Sequence, residues 1–333
     1  MRIGVVGAGA VGGAIAALLS RAGHEVEVTA RGAHLEAIRE YGIKLAGAWG
    51  EYVAQVDAAE ELTGGNEFVI VATKALDAAE ALRQNAGVLR GIPVLVIQNG
   101  LDGISGAKAA APKSDIIGGL AIFATSYLSP GEITITTPGS LVIGVPAGDS
   151  DVPARYVLGT LNSALPTVLV PNFTGAQWTK LVINQVNALS AITGMPVQEV
   201  IADRRLRFIM TASIRENVRI GLRNGIRFET LQGLNHRILR LFAGLPLWLG
   251  QVLPLQMSRR IGRVPNPGST LQSIRRGQVT EIDYLNGAVV RAAVAVGRTA
   301  PVNAKLVELV HGVETSGRFL TADEVAAAVT IRA

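Results

Sequence analysis

Short apolar runs alternate with stretches of helical periodicity through the first hundred residues. Residues 3–6 read as a strand, 10–21 as a helix and 25–29 as a second strand; 68–72 and 94–97 are further buried strands, with a helical stretch over 77–89 between them. Strand–helix alternation of this kind predicts a parallel sheet covered on both faces. Beyond residue 116 the texture turns β-rich, over 116–123, 133–136 and 141–145, with Pro-Gly turns at Pro130-Gly131 and Pro138-Gly139. These strands are expected to extend the same sheet.

From Trp178 onward the pattern is helical. One helix is expected over 178–192, stopped at Gly194-Met195-Pro196, and another over 206–224, ended by Gly225. Helices over 280–296 and 302–313 follow, with a last one capped by Thr321. The segment 171–175 is the natural linker. The expected fold is α/β: a doubly wound, Rossmann-type domain over 1–172, then an all-helical domain over 173–333. The apolar stretch 241–257 is shorter than the ~20 residues a membrane span needs and is interrupted by Pro246 and Pro254. It reads as buried helices, a lid or a contact in a homodimer.

Composition narrows the chemistry. The 333 residues are 49% hydrophobic and 17% charged, which excludes a disordered chain. With no cysteine and four scattered histidines (His24, His34, His236, His311), no metal site is expected. The net charge of +5, with a locally basic stretch over 263–276, suits an anionic cofactor or acid substrate better than nucleic acid. The glycine-rich N-terminus does not read as a signal peptide, and a cytoplasmic location is expected.

The strongest local signal is Gly7-Ala8-Gly9-Ala10-Val11-Gly12, a G-x-G-x-x-G between a strand and a helix. The first glycine makes a tight turn, the second lets backbone approach a diphosphate, and the third lets helix and strand pack closely. A dinucleotide site follows. At the end of the second strand, where an NAD site places a carboxylate, stand Thr29 and Ala30, followed by Arg31; Glu27 comes too early. A guanidinium there suits a 2′-phosphate and favours NADPH, although a solvated surface arginine would look the same.

In the second half, Lys180, Asn184 and Asn187 fall at i, i+4 and i+7 on an otherwise apolar helix. Such a stripe either is solvated or lines a site. The chain also carries Lys74 in Val71-Ala72-Thr73-Lys74, Gln98-Asn99-Gly100, and Trp178-Thr179-Lys180-Leu181 followed by Asn184. Most specific is Asn266-Pro267-Gly268-Ser269, with Thr280-Glu281-Ile282-Asp283 and Asn286-Gly287 downstream, so that Glu281 lies twelve residues after Ser269. In these motifs the sequence resembles the ketopantoate reductase (2-dehydropantoate 2-reductase) family over nearly its whole length.

The resemblance implies NADPH-dependent reduction of a 2-keto acid, ketopantoate, to a 2-hydroxy acid, a step of pantothenate biosynthesis. It puts the cofactor on the first domain and the substrate between the two. It makes Lys180 the general acid, with Glu281 near the lysine and cofactor, and Ser269, Asn184, Asn187 and Asn266 hydrogen-bonded to substrate. Asn99 would lie where nicotinamide meets substrate, and Lys74 would contact the cofactor. Each residue has a plainer alternative: Glu281 a first-turn helical carboxylate, Ser269 an N-cap, Asn99-Gly100 a turn, Lys74 a surface residue.

The chain departs from the family pattern near the substrate. Asn187 comes three residues after Asn184 where the family has four, read as a one-residue deletion. Thr270 replaces a Met, Ser273 replaces an Asp, and 206–263 is longer than in compact members. A bulkier 2-keto acid is therefore the alternative substrate. A non-catalytic NADPH-binding sensor is the rival from another class. An opine-type or hydroxyacyl-type dehydrogenase ranks lower, because His236 and His311 lie outside any catalytic-histidine motif.

Overall fold

A computed structural model describes residues 1–261 and 265–331; Arg263, at the start of the basic stretch and the end of the long 206–263 segment, lies outside them. The chain divides into two compact units, Met1–Phe173 and Thr174–Ala333.

The first unit contains twelve strands: β1 (Arg2–Val6), β2 (Glu25–Thr29), β3 (Ile43–Gly47), β4 (Tyr52–Ala54), β5 (Asp57–Ala59), β6 (Phe68–Val71), β7 (Pro93–Ile97), β8 (Asp115–Ala121), β9 (Ala124–Ser129), β10 (Glu132–Thr137), β11 (Leu141–Gly144) and β12 (Thr167–Leu169). Eight form the main sheet in the order β12-β11-β8-β7-β6-β1-β2-β5. The six from β8 to β5 run parallel, and β11 is antiparallel to β8. The continuous apolar runs follow from burial on both faces. In β6, Phe68 and Ile70 join one core cluster while Val69 and Val71 join the other; β7 divides its residues likewise.

Residues 133–136 do not extend this sheet. Their strand, β10, belongs to a separate four-stranded sheet, β4-β3-β10-β9. Ile133 and Ile135 lie in the same core cluster as the buried face of the helix Ala10–Arg21, and Gly13 gives Ile133 room against that helix. The predicted 77–89 helix is two pieces, Ala78–Gln84 and Ala86–Leu89, broken at Asn85. There the Asn85 side chain accepts from Leu62 N–H (2.9 Å) and donates to Ala81 O (2.8 Å).

The second unit is helical. A helix runs Phe173–Asn184, starting inside the expected linker, and another runs Val186–Thr193, so the predicted 178–192 helix is interrupted at Gln185. The helix Arg204–Arg223 is capped by Asp203, which accepts from Arg205 and Leu206 N–H. The predicted 280–296 helix is instead a 3-10 turn, Ile282–Tyr284, followed by the helix Asn286–Ala295. Pro301–Ser316 and Ala322–Ala328 complete the unit, the last with a Thr321–Glu324 capping box. The apolar stretch 241–257 falls on three short helices, His236–Gly244, Leu247–Gly250 and Val252–Ile261. Phe242, Leu247, Leu253 and Met257 are buried, whereas Leu241 and Trp248 are exposed. Among the described residues no helix is long and apolar enough to cross a membrane.

Candidate functional site

β1 ends at Val6 and delivers Gly7 to the carboxyl edge of the main sheet. Gly7 has φ +92°, and a Cβ there would lie 2.7 Å from Thr73 Cγ2. Gly7 N–H donates to Thr29 Oγ1 and Ala8 N–H to Thr29 O, each at 2.9 Å, so the turn is tied to the end of β2. Gly9 is the N-cap of the helix that Ala10 and Val11 open, and no side chain caps that end. A Cβ on Gly9 would meet nothing within 4 Å, whereas one on Gly12 would collide with Gly7 O. The three glycines thus meet three separate demands, for turn, open approach and close packing. With the bare first-turn N–H groups, they fit a diphosphate cradle.

Because β1, β2, β6 and β7 are parallel, their carboxyl ends share one edge. Connections from β1 lead to β2 on one side and eventually to β6 on the other, which makes this edge the topological switch point where such sheets bind ligands. Arg31 follows β2, Lys74 follows β6 and Asn99 follows β7. Arg31 is exposed and donates to Gln84 Oε1 at 2.7 Å. Lys74 and Asn99 are half-buried, and Lys74 O accepts from Asp77 N–H. Glu27 is fully buried and structural: it accepts from Thr63 N–H at 2.6 Å, with Arg2 3.7 Å away.

One residue at this edge carried no signal in the sequence. His34 Nδ1 accepts from Gly131 N–H (3.0 Å), which leaves Nε2–H to donate to Ala8 O (2.7 Å). The neutral imidazole therefore ties the glycine turn to the loop joining β9 and β10. Only the pairing of β3 with β10, distant in sequence, brings Gly131 there.

In the second unit, Trp178 and Thr179 anchor the Lys180 helix. Trp178 packs beside Gly221, and Thr179 Oγ1 lies 2.9 Å from Gly175 O and 2.7 Å from Glu229 O. The stripe Lys180–Asn184–Asn187 is not a solvated face, since Asn184 and Asn187 are each 7% exposed and Lys180 is only partly exposed. Lys180 makes no hydrogen bond or ion pair among the described residues, and removal from water pushes its ammonium down to about 8. Glu281 stands half-buried in the turn before Ile282–Tyr284 rather than inside an α-helix.

The helices Val186–Thr193 and Gly268–Arg275 bring Asn187 together with the 266–269 segment. Gly268 has φ +71°, and a Cβ there would come within 2.5 Å of Asn187 Oδ1. Asn266 Oδ1 accepts from Gly268 N–H at 2.9 Å, so its carbonyl shapes the loop. Ser269 is not the N-cap, a place taken by Pro267; it lies exposed in the first turn, with its hydroxyl unbonded among the described residues.

Behind this face lies a buried polar network. Gln185, where the helix breaks, accepts from Asn286 Nδ2 (2.8 Å) and lies 2.6 Å from Ser213 Oγ. Asn286 Nδ2 also donates to Asn303 Oδ1 (2.9 Å), and Asn303 Nδ2 donates to Glu216 Oε2 (2.8 Å). Gln185, Ser213, Asn286 and Asn303 are all fully buried.

The chain matches the family described as "Ketopantoate reductase PanE/ApbA" over residues 3–148, and that family's C-terminal region over residues 172–314. A 2-dehydropantoate 2-reductase from Pyrococcus abyssi is 29% identical over 94% of this chain and 98% of its own. One from Mesorhizobium japonicum is 30% identical over 90% of this chain and 94% of its own. Among solved structures, a PanE/ApbA family ketopantoate reductase from Ralstonia eutropha superimposes with a TM-score of 0.80 at 26% identity, covering 95% of this chain and 99% of that one. D-mandelate dehydrogenase, solved with NADH and anilino(oxo)acetate, shares the fold: TM-score 0.81, 20% identity, and coverage of 95% and 99%.

Proposed function

The chain belongs to the ketopantoate reductase family, and from that premise we propose that it reduces ketopantoate to pantoate with NADPH, using Lys180 as the general acid. It is an oxidoreductase acting on a CH–OH group. The observation that carries the mechanistic reading is Lys180 itself, a partly buried ammonium with no partner among the described residues and a pKa lowered to about 8.

A reduced nicotinamide, when bound, supplies the hydride. Its diphosphate suits the bare helix end at Gly9 and its 2′-phosphate suits Arg31, with Lys74 a further cofactor contact. Lys180 donates a hydrogen bond to the C2 carbonyl oxygen, polarising the ketone, and gives up its proton as the new C–H bond forms. The amine left behind regains a proton from water. A pKa near 8 makes this ammonium a better proton donor than an ordinary lysine, while most of it stays charged at pH 7. Glu281 is assigned as its counter-charge and a cofactor contact in the ligand-bound enzyme. Asn184, Asn187, Asn266 and Ser269 orient the carboxylate and hydroxyl groups of the substrate, and Asn99 holds the position where nicotinamide and ketone meet.

NADPH oxidation followed with ketopantoate and a panel of bulkier 2-keto acids tests the reading. Lys180→Ala should abolish most turnover, and Arg31→Ala should raise KM for NADPH while leaving that for NADH little changed. Turnover restricted to another keto acid would refute the substrate. Tight NADPH binding with no keto acid reduced would refute the catalytic reading.

A further inference from the structure

The helix Arg204–Arg223 carries Arg215, Arg219 and Arg223 at intervals of four, so three guanidiniums share one face. With Arg298 and the residues that open the helix Pro301–Ser316, that face lines a cavity of about 330 Å³. Four cations meet one carboxylate there, and Glu216, whose charge acts on Arg215, offsets them only in part. Glu216 Oε1 accepts from Val302 N–H (2.9 Å), and Oε2 accepts from Asn303 N–H (2.9 Å) and Asn303 Nδ2 (2.8 Å). Its charge serves the N-terminus of the Pro301–Ser316 helix.

The arginines are correspondingly under-partnered. Arg215 is half-buried with no hydrogen bond or ion pair among the described residues; burial and then the charge of Arg219 act against its ionised form, and the charge of Glu216 offsets them only in part. Arg219 spends its Nε on Ala243 O at 2.9 Å. Arg223 and Arg298 are exposed, and neither side chain has a partner among the described residues. Like charges repeated along one helix face oppose folding on their own. Guanidinium forks match oxyanions, and the cavity's size falls at the small end of ligand sites.

We propose that this cavity binds a compact phosphate-bearing metabolite, held by Arg215, Arg223 and Arg298, at a site separate from the dinucleotide turn. The cavity suits a cluster of oxyanions on a small body, and phosphate fits better than carboxylate because a tetrahedral group presents several oxygens to several forks at once.

The test is hydrogen–deuterium exchange of the full chain with inorganic diphosphate at constant ionic strength, and with citrate in a parallel arm. Diphosphate should protect peptides covering 212–223 and 297–303 saturably. The double variant Arg215→Gln/Arg223→Gln should bind about tenfold more weakly or worse, one lost contact being worth that order. Arg298→Gln, on an exposed loop, gives a second check should the double variant fold poorly. Protection confined to peptides over 4–14, no protection at all, or equal protection in the variants would overturn the site. Citrate protecting as well as diphosphate would overturn the assignment to phosphate. Exchange is read without turnover, so an enzyme that reduces no keto acid can still confirm this site.

Discussion

Lys180→Met should make the protein more stable while removing its activity. Burial moves the Lys180 pKa from the ordinary 10.5 to about 8, with no partner among the described residues offsetting the loss of water. A shift of that size corresponds to about 3 kcal/mol of native-state penalty on the charged form. The figure is an upper bound, because the side chain keeps some contact with water. The folded-state pKa is depressed, so below pH 8 the lysine is charged in both folded and unfolded chains and the penalty is fully present. Between pH 8 and 10.5 the folded chain has released a proton that the unfolded chain retains, and the penalty fades. Methionine has similar length and no charge, so at pH 7 the variant should melt higher by up to about 6–12 °C, at roughly 2–4 °C per kcal/mol for a domain of this size. The gap between variant and wild type should close as pH rises from 8 to 10.5. Thermal unfolding by circular dichroism at pH 7, 8.5 and 10 measures it. A variant that melts lower at pH 7, or a gap that ignores pH, would mean that partners hold the ammonium and that desolvation is not what perturbs it.

The same group should shape the rate. Reduction needs the ammonium, so kcat/KM should be level below about pH 8 and fall tenfold per pH unit above it; a profile flat to pH 10 would remove Lys180 as the acid. Gly9→Ala should leave stability within about 0.5 kcal/mol, since its methyl meets nothing, yet weaken cofactor binding measured by fluorescence titration. Gly12→Ala should lower stability by about 1–3 kcal/mol, because its methyl would collide with Gly7 O. Asn286→Ala leaves Gln185 Oε1 and Asn303 Oδ1 each short of a buried donor and should cost about 2–4 kcal/mol in urea unfolding. An effect below 1 kcal/mol would show the network to be dispensable.

Local signals were legible in the sequence where one element answers to one pattern. The glycine turn, the helix Ala10–Arg21 and the strand Glu25–Thr29 stand where periodicity puts them, because apolar runs buried on both faces leave little choice. The second sheet was not legible. β10 alternates isoleucine with threonine between Pro-Gly turns whether it lengthens the main sheet or covers the helix Ala10–Arg21; only its parallel pairing with β3 decides. His34 was hidden for the same reason, since both of its partners, Ala8 and Gly131, come to it through tertiary structure. Short strands such as β5 and β12 have too few residues to show a period.

The departure at Asn187 has a geometric consequence that spacing alone misses. On a regular helix, i+7 lies about 20° to one side of Lys180 and i+4 about 40° to the other, which separates Asn187 from Asn184. The helix is not regular there. Gln185 N–H bonds to Val182 O, three residues back, and such a tightened turn advances by about 20° more per residue than an α-helix does. Each tightened step carries Asn187 back toward the direction shared by Lys180 and Asn184, compensating part of what the shorter spacing removes. The break is not a local accident of the helix: Gln185 is fully buried, and its side-chain carbonyl is held by Asn286, of the Asn286-Gly287 pair that follows Glu281 in the sequence motif. Asn286 is held in turn through Asn303 to Glu216. The motif residues that carry the family resemblance therefore include one whose work is to fix helix phase. Asn286 shapes the candidate site by holding Gln185, which follows Asn184 directly.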